Sequence, residues 1–427
     1  MVLHRPSGLR PVAAGKIEFT PVPERGPSRR FQQQKGSTMK FLYDDESFSF
    51  EALRSAGYAV YGGADLGEVL VTCRQIPEGD EEAWSAQWAA TAARIERIGR
   101  EALAAGHRVS AREALLRASN YYRTADFYRR ENPAADAESA RLAKASQQTF
   151  ADAAALLDPP ARALRIPYED TTLPGYLFLA DDSGTARPTL LYHGGYDSTL
   201  EENYLALAAG ALRRGYNVIA FDGPGQGNTV REQGLRFRPD WEAVVTPAVD
   251  FALTVPEVDA GRLVLVGTSL GGILAARAAA FEHRLAACVL HDGAYDFHAV
   301  IAATADRAAS MPGGMEALMA RNTMVRWVVR NGRWTFGVSD IDDLVRATEA
   351  YTMAGIADRV TCPTLVLEAE NDQFFQGQPR RLFDELTCQK ELISFREDEG
   401  AGEHCHEGAL SLFHQRTFDW LDTVLAG

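Results

Sequence analysis

The chain has 427 residues, of which 46% are apolar and 24% charged, and its formal net charge at pH 7 is −14. This length and composition predict a globular protein of two or three domains with a large core. The negative charge argues against a nucleic-acid ligand, because proteins that bind phosphate backbones present basic stripes, and no apolar run approaches the roughly 18–20 residues that a membrane helix needs.

The first segment, residues 1–40, is rich in Pro, Arg, Gln and Gly and has no hydrophobic periodicity. We expect it to be a disordered segment or an upstream extension. It contains no apolar core of signal-peptide length, and the five cysteines of the chain are scattered without a C-x-x-C pair. These features predict a cytoplasmic protein whose thiols are reduced and mostly buried.

Residues 41–160 have helical periodicity and no strand pattern. One helix runs to about residue 105, because its apolar side chains recur at three-, four- and seven-residue spacings, at Trp84, Trp88, Ile95 and Ile98. A capping box at Ser110–Glu113 predicts the start of a second helix, and a third is predicted over about 134–157. Helices without strand partners, ahead of a strand-rich part, predict a separate helical cap domain.

The second of these helices carries a cluster of aromatic residues, namely Tyr121, Tyr122, Phe127 and Tyr128. Aromatic side chains at helical spacing usually pack against a neighbouring helix, but such a cluster can also form the wall of a substrate pocket. Tyr121 and Tyr122 are therefore candidate substrate contacts, with core packing as the alternative.

Strands alternate with helices over residues 161–427. The strands are predicted near 163–168, 174–179, 188–192, 217–222, 263–267, 286–291, 363–369 and 391–396, with helices at about 200–214, 240–254, 270–282 and 376–387. This alternation predicts an α/β fold with a mostly parallel sheet and helices on both faces. Such a sheet carries its site at the carboxyl ends of the strands, so reactive residues are sought directly after strands.

Ser269 is the centre of a G-x-S-x-G motif that lies between a short apolar strand and a helix. In this strand–turn–helix context the motif is typical of a nucleophile elbow, in which flanking glycines let strand and helix approach closely. The alternative is a glycine-rich helix entry without chemistry. We favour Ser269 as a nucleophile.

Backbone amides for an oxyanion hole are expected on two segments. The helix that follows Ser269 directs its first N–H groups, including that of Leu270, toward the space above the serine. The glycine pair after strand 188–192 can turn another N–H inward, from Gly195 or Tyr196. A plain tight turn is the alternative for that glycine pair.

The acid and the base follow later in the chain. Asp372 comes after strand 363–369 and can orient a histidine, with Glu370 as the alternative acid. His404 lies in a glycine-rich loop after strand 391–396, with His406 as the alternative base. The order serine, acid, histidine is that of the alpha/beta-hydrolases.

Residues 293–360 separate the strand that ends at His291 from the strand of the acid. They are rich in Trp, Phe and Met, so we expect a lid-like insertion that lines an adaptable apolar pocket, with an ordinary packed core as the alternative. Asp292 and Asp296 follow a strand next to the elbow strand and are candidate substrate contacts. A helix cap or a loop hydrogen bond is the alternative for both.

From about residue 46 to its end, the chain resembles the alpha/beta-hydrolase group that includes 2,6-dihydroxypseudooxynicotine hydrolase and fungal heptaketide chain-shortening hydrolases. The stretches that carry the resemblance are Tyr61–Glu68, Ala118–Phe127, His193–Ser198, Phe221–Gly227, Cys362–Glu368 and Gly402–Cys405. The resemblance implies a triad of Ser269, Asp372 and His404, a helical N-terminal cap over the pocket, and a homodimer.

The function expected from these observations is serine-dependent hydrolysis at a carbonyl of a small molecule, without a metal or another cofactor. The resemblance favours cleavage of a carbon–carbon bond next to a ketone in an aromatic or polyketide-like substrate. Three alternatives stay open: an esterase or amidase of acylaminoacyl-peptidase type, an acyl transferase or cyclase, and a non-catalytic binding module. We expect no nucleic-acid and no membrane partner.

Overall fold

The computed structural model describes residues 39–426, so the expected extension over 1–40 lies almost wholly outside the described residues. The cap helices come first in this part of the chain. Their bounds are α1 (Glu46–Gly57), α2 (Leu66–Cys73), α3 (Glu81–Ala104), α4 (Arg108–Asp126) and α5 (Ala137–Ala154), with a 3₁₀ turn at Tyr58–Tyr61. Helix α3 is amphipathic as predicted and buries Trp84, Trp88 and Ile95, whereas Ile98 is 44% exposed.

The predicted start of the second cap helix is wrong. Helix α4 begins at Arg108, with His107 at its N-cap and no side-chain cap, so Ser110 is already helical. Gly106, with φ of +81°, ends the preceding turn, and the chain enters α4 almost immediately. The short glycine turn therefore sets the helix start instead of the capping box.

All the strands predicted after residue 160 occur in one sheet. Their bounds are β1 (Arg162–Tyr168), β2 (Thr171–Phe178), β3 (Arg187–His193), β4 (Asn217–Phe221), β5 (Val258–Thr268), β6 (Ala287–His291), β7 (Thr364–Ala369) and β8 (Lys390–Phe395). Within the described residues the strand order is β1-β2-β4-β3-β5-β6-β7-β8. Strand β2 is antiparallel to β1 and β4, and all the other pairs are parallel, which confirms the predicted mostly parallel sheet.

The remaining helices cover the sheet or follow it. They are α6 (Ala209–Leu212), α7 (Glu242–Ala252), α8 (Leu270–Ala279), α9 (Phe297–Ala309), α10 (Gly314–Arg321), α11 (Thr323–Phe336), α12 (Ile341–Thr348), α13 (Gln378–Glu385) and α14 (Leu410–Leu425). Two π-helical segments, Tyr204–Ala208 and Thr229–Gln233, lie between β3 and α7. Helices α9 to α12 occupy the expected insertion between β6 and β7.

The sheet is buried on both faces, because successive residues of its central strands belong to different cores. Leu190 packs in a core with Phe413 of α14, whereas Leu191 packs in a core with Val244 of α7 and Ile273 of α8. The second of these cores continues into the cap, where it includes Trp84, Trp88 and Phe48. Helices on both faces are therefore confirmed, and the cap shares a core with the sheet.

Candidate active site

Ser269 lies between the end of β5 and the start of α8. Its backbone has φ of 61° and ψ of −128°, a strained conformation that holds the side chain above the turn. A Cβ atom on Gly267 would lie 2.0 Å from the carbonyl oxygen of Gly271, and one on Gly271 would lie 2.4 Å from that of Gly194. Only glycine fits at these two positions, as the elbow motif predicts.

The structure brings Ser269, His404 and Asp372 into one hydrogen-bonded chain. Ser269 Oγ lies 2.9 Å from His404 Nε2, and His404 Nδ1 lies 2.9 Å from Asp372 Oδ2. The other oxygen of Asp372 accepts hydrogen bonds from the backbone N–H groups of Phe374 and Phe375, at 2.8 and 2.9 Å. The carboxylate is therefore fixed with one oxygen directed at the histidine.

The alternative acid and base lie elsewhere. Glu370 is exposed and accepts a hydrogen bond from the backbone N–H of Glu397. His406 is fully buried, stacks on Phe395 with ring centroids 3.8 Å apart, and has its pKa lowered to about 3 by burial. Neither residue contacts Ser269, so the geometry favours Asp372 and His404.

Asp292, a candidate substrate contact, is fully buried and does not line the cavity. Its Oδ2 accepts a hydrogen bond from the backbone N–H of Cys405 and lies 3.9 Å from His404 Nδ1. Burial, with the carboxylate of Asp372 nearby, holds the pKa of Asp292 well above its usual range. Asp292 therefore resists ionisation and packs behind His404.

Three ligand-type side chains, Asp292, His404 and Cys405, have atoms within 4.8 Å of one another. Both ring nitrogens of His404 are already bonded to Ser269 and Asp372. Burial keeps the pKa of the Cys405 thiol well above its usual value, so a thiolate ligand is disfavoured. We assign no metal to this group.

The amides expected for the oxyanion hole lie beside the serine. A Cβ on Gly195 would be 2.9 Å from the backbone nitrogen of Leu270 and 3.0 Å from Ser269 Cβ, so the two segments touch. Among residues 39–426, the amides of Gly195, Tyr196 and Leu270 have no backbone or side-chain acceptor. Gln226, which the sequence did not single out, donates from Nε2 to the carbonyl of Gly194 at 2.5 Å and holds this loop in position.

A cavity opens above Ser269 and His404, and both residues line it. Aromatic and aliphatic side chains contribute much of its lining, including Phe50, Phe127, Tyr196, Phe297, Ile301, Met324, Trp327, Phe374 and Phe375. Helices α9 and α11 of the 293–360 insertion supply part of this wall, and Phe50 of cap helix α1 lies 6.3 Å from His404 between ring centroids. The cavity therefore suits an apolar, aromatic ligand.

The other three candidate substrate contacts, Tyr121, Tyr122 and Asp296, also lie outside the cavity. The hydroxyl of Tyr121 donates to Glu68 and its ring packs on Trp88, and the hydroxyl of Tyr122 donates to Glu96. These tyrosines belong to the core of the cap, because α4 packs between α3 and α5. Asp296 caps helix α9 by accepting a hydrogen bond from the N–H of Ala299.

A group of charged residues forms a polar part of the cavity lining, and no sequence motif predicted it. It consists of Glu51 and Arg54 of α1, Asp197 and Glu202 after β3, and Glu407 after the histidine loop. Arg54 donates to Glu202, Asp197 and Glu51, at 2.7, 2.6 and 3.2 Å. Although burial opposes it, the guanidinium of Arg54 holds the pKa of Asp197 below its usual range.

The fold and this site define the class of the protein. A model of the alpha/beta hydrolase family matches residues 190–415, and the chain belongs to that family. It is 35% identical to the 20-hydroxy-prefusarin hydrolase FUS2 of Gibberella moniliformis, over 91% of this chain and 99% of that protein. It is 37% identical to the hydrolyase poxO of Penicillium oxalicum, with the same coverage.

A solved structure supports the fold as well. The chain aligns with 2,6-dihydroxy-pseudo-oxynicotine hydrolase with a TM-score of 0.69 and 22% identity, over 87% of this chain and 95% of that one. The resemblance drawn from the sequence motifs is therefore confirmed at the level of family and fold. Across residues 39–426, none of the helices has the length and apolar character to span a bilayer.

Proposed function

We propose that this chain is a serine hydrolase that attacks a carbonyl of a small, largely apolar molecule. The observation that carries the proposal is the chain of 2.9 Å contacts from Ser269 through His404 to Asp372, at the floor of an aromatic cavity. Relatives that cover nearly the whole chain are named hydrolases, and one is named for a small molecule, 20-hydroxy-prefusarin.

In the proposed reaction, His404 removes the proton of Ser269 as its hydroxyl attacks the substrate carbonyl. Amides of the Gly195 loop and of Leu270 stabilise the oxyanion, an effect whose loss typically costs about 10²–10³ in rate for each donor. Asp372 stabilises the imidazolium that forms. His404 then protonates the leaving group, and water hydrolyses the acyl-enzyme.

We favour a carbon leaving group, so that the bond next to a ketone breaks. Such a bond cleaves only when the resulting carbanion is delocalised, as in a β-diketone or an acylated polyphenol, and the aromatic lining suits substrates of that kind. Fast turnover of simple esters, without any cleavage of aryl β-diketones, would contradict the carbon leaving group. It would favour an esterase or amidase instead. A cyclic or transferred product in place of a free acid would favour the cyclase or transferase.

The first test is the intact mass of the protein after treatment with a fluorophosphonate probe. Wild type is expected to gain one adduct, and Ser269→Ala and His404→Ala are expected to lose it. Ser183→Ala and His283→Ala change exposed residues of the same types and should label like wild type. An unlabelled wild type would contradict the hydrolase and favour the binding module.

The cytoplasmic location and the homodimer stay predictions. Size-exclusion chromatography with light scattering measures the oligomeric state and tests the homodimer.

A further inference from the structure

The loop after β3 carries the candidate oxyanion-hole amides of Gly195 and Tyr196, and its first two residues are Gly194 and Gly195. A peptide unit flanked by glycines rotates at little steric cost, so these residues do not themselves set the direction of their N–H groups. The C=O and the N–H of one trans peptide point in opposite directions. A partner that holds the carbonyl therefore also directs the N–H of the next residue.

The carbonyl of Gly194 is held by Gln226, from the loop after β4. Gln226 is 1% exposed, and its Nε2 donates to the Gly194 oxygen at 2.5 Å and lies 3.4 Å from the Gly195 oxygen. Its Oε1 accepts from the backbone N–H of Gly223 at 2.8 Å, which fixes the amide in this orientation because a backbone N–H can only donate. Gln226 does not line the cavity, whereas Gly195 does. The Gly195 N–H is therefore directed away from Gln226 and toward the cavity.

A second donor, His193, holds the same carbonyl oxygen. Trp241 Nε1 lies 3.2 Å from His193 Nε2, and an indole can only donate, so Nε2 is the acceptor and Nδ1 carries the proton of the neutral ring. His193 Nδ1 lies 3.1 Å from the Gly194 oxygen and donates to it. Burial lowers the pKa of His193 to about 4, so the ring stays neutral near pH 7. Two buried donors therefore fix the peptide that carries the Gly195 N–H.

The far end of the loop is held by helix α11 of the insertion. Asn331, which is 1% exposed, donates from Nδ2 to the carbonyl of Tyr196 at 2.9 Å, and its Oδ1 accepts from Arg130 Nε at 3.1 Å. A guanidinium can only donate, so Arg130 fixes which end of the Asn331 amide faces the loop. The hydroxyl of Tyr196 donates to the carbonyl of Val328, on the same helix, at 2.7 Å. The loop is thus bonded to the core at one end and to α11 at the other.

We propose that Gln226 and Asn331 are positioning residues of the oxyanion hole. Gln226 sets the direction of the Gly195 N–H, and Asn331 anchors the same loop to α11. The inference rests on the proposed function, because it requires that the Gly195 amide stabilises an oxyanion. Neither Gln226 nor Asn331 lines the cavity, so changing either should slow the reaction of Ser269 without weakening the binding that precedes it.

Fluorophosphonate labelling tests these roles, because Ser269 Oγ bonds to phosphorus, fluoride leaves, and the phosphoryl oxygen takes up negative charge in the hole. Intact mass followed over time at several probe concentrations gives the maximal labelling rate and the half-saturating concentration. At about pH 9, Gln226→Glu should lower the maximal rate about 10²-fold, since its carboxylate repels the Gly194 carbonyl. Asn331→Asp should lower it about tenfold, because Asn331 holds only the far end of the loop. The half-saturating concentrations should stay within about twofold of wild type.

The pH dependence separates positioning from a general loss of packing. A protonated carboxyl can donate its O–H to the Gly194 oxygen, so the loss in Gln226→Glu should shrink as the pH falls from about 9 to about 6. Gln226→Met offers no donor, so its loss, about tenfold because His193 still donates, should not change over this range. His193 shares the carbonyl and Asp222 begins the loop of Gln226. Both are present in wild type, so rates relative to wild type cancel their titration.

Two control variants make the same changes where the oxyanion loop is not involved. Gln75→Glu, at an exposed position beyond α2, removes a donor to the carbonyl of Val71. Asn322→Asp, at the N-cap of α11, keeps the oxygen that accepts from the N–H of Val325. Both should label at the wild-type rate. Thermal melts check folding, and Asn331→Asp remains a test if a Gln226 variant fails to fold.

A wild-type maximal rate in Gln226→Glu at about pH 9 would overturn the role of Gln226, and one in Asn331→Asp would overturn that of Asn331. A loss in Gln226→Glu that is unchanged at about pH 6, or that appears only in the half-saturating concentration, would show a packing defect and would overturn positioning. An unlabelled wild type overturns the proposed function and this inference with it. A labelled wild type with unaffected variants overturns only the inference.

Discussion

Two buried aspartates lie beside His404, at different distances from its Nδ1. Asp372 Oδ2 is 2.9 Å away and Asp292 Oδ2 is 3.9 Å away. Asp372 is further fixed by two backbone N–H groups, whereas burial and the neighbouring carboxylate raise the pKa of Asp292 well above its usual range. Only Asp372 is therefore placed to stabilise an imidazolium at His404.

Replacing each aspartate by asparagine distinguishes their roles. Asp372→Asn presents an amide to Nδ1 and favours the wrong tautomer of His404, so fluorophosphonate labelling should slow about 10³–10⁴-fold. Asp292→Asn keeps an oxygen that can accept the hydrogen bond from the Cys405 N–H, and the Asp292 carboxyl lies 3.9 Å from His404 Nδ1 instead of 2.9 Å, so labelling should slow less than about tenfold. An equal loss in both variants would contradict this difference between the two aspartates. Thermal melts check that both variants fold.

The candidate triad could be proposed from the sequence because each of its residues lies in a segment that follows a strand. Ser269 directly follows β5, Asp372 lies in the loop after β7, and His404 lies farther along the loop after β8. Parallel strands bring such segments to one edge of the sheet. The residues that line the cavity were not predictable in this way. Phe50 and Arg54 reach it from cap helix α1, through packing on segments that are distant in the chain, such as the Arg54–Asp197 pair with a separation of 143 residues. No local pattern encodes such packing. The same limit applies to Tyr121 and Tyr122, because their helical spacing is compatible with core packing and with a pocket wall.

The elbow is the element whose geometry allows the least change. A Cβ on Gly267 would lie 2.0 Å from a backbone oxygen of α8, and neither atom can rotate away as a side chain can. The strand, the turn and the helix therefore stay in position only when this residue is glycine.

Gly267→Ala is expected to destabilise the protein by about 1–3 kcal/mol or more and to abolish fluorophosphonate labelling, because the clash separates α8 from β5. Gly261→Ala, in the same strand, is the control. Its Cβ would meet only the Asp259 side chain, at 3.5 Å, so we expect a change within about 0.5 kcal/mol. Urea unfolding at pH 7 gives both free energies. A Gly267→Ala protein as stable as wild type would contradict the steric argument.

The sequence pattern predicted the individual strands but not their order in the sheet. The strands after residue 160 occur close to their expected bounds, because apolar runs bounded by turns are a local signal, except that β5 begins at Val258 and not at residue 263. The position of β4 between β2 and β3 depends on long-range pairing and has no such signal. The start of helix α4 is a case in which a local pattern failed. The capping box at Ser110–Glu113 predicted a later start than the structure has, because the helix begins directly after the glycine turn at Gly106.

At the scale of the whole molecule, the cap and the sheet are joined by buried charges. Arg54 of α1 and Arg123 of α4 belong to the cap, and they contact Glu202 in the loop after β3, with Arg54 also bonded to Asp197. The side chain of Glu202 is 6% exposed and that of Arg54 is 11% exposed, so solvent screens these pairs little. These contacts, the joint between cap and sheet, tie α1 to the loop that follows β3, and both segments contribute residues to the lining of the cavity.

Arg54→Met should therefore weaken the whole molecule. Removing one partner of a buried pair leaves uncompensated carboxylates, which typically costs about 3–5 kcal/mol, and the charges stranded here lie on both sides of the joint. Arg97→Met is the matched control in the cap, because its ion pair with Glu101 is 68% and 71% exposed and should contribute less than about 1 kcal/mol. Urea unfolding followed by tryptophan fluorescence and by far-ultraviolet circular dichroism measures both variants.

Wild type is expected to give coincident transitions by the two probes, since the cap and the sheet share one apolar core as well as this joint. In Arg54→Met, the transitions followed by fluorescence and by circular dichroism should both shift to lower urea concentrations. They should still coincide if the apolar core alone couples the cap to the sheet, and they should separate if that coupling also needs the ion pairs of Arg54. An Arg54→Met protein that unfolds at the same urea concentration as Arg97→Met would contradict the joint itself.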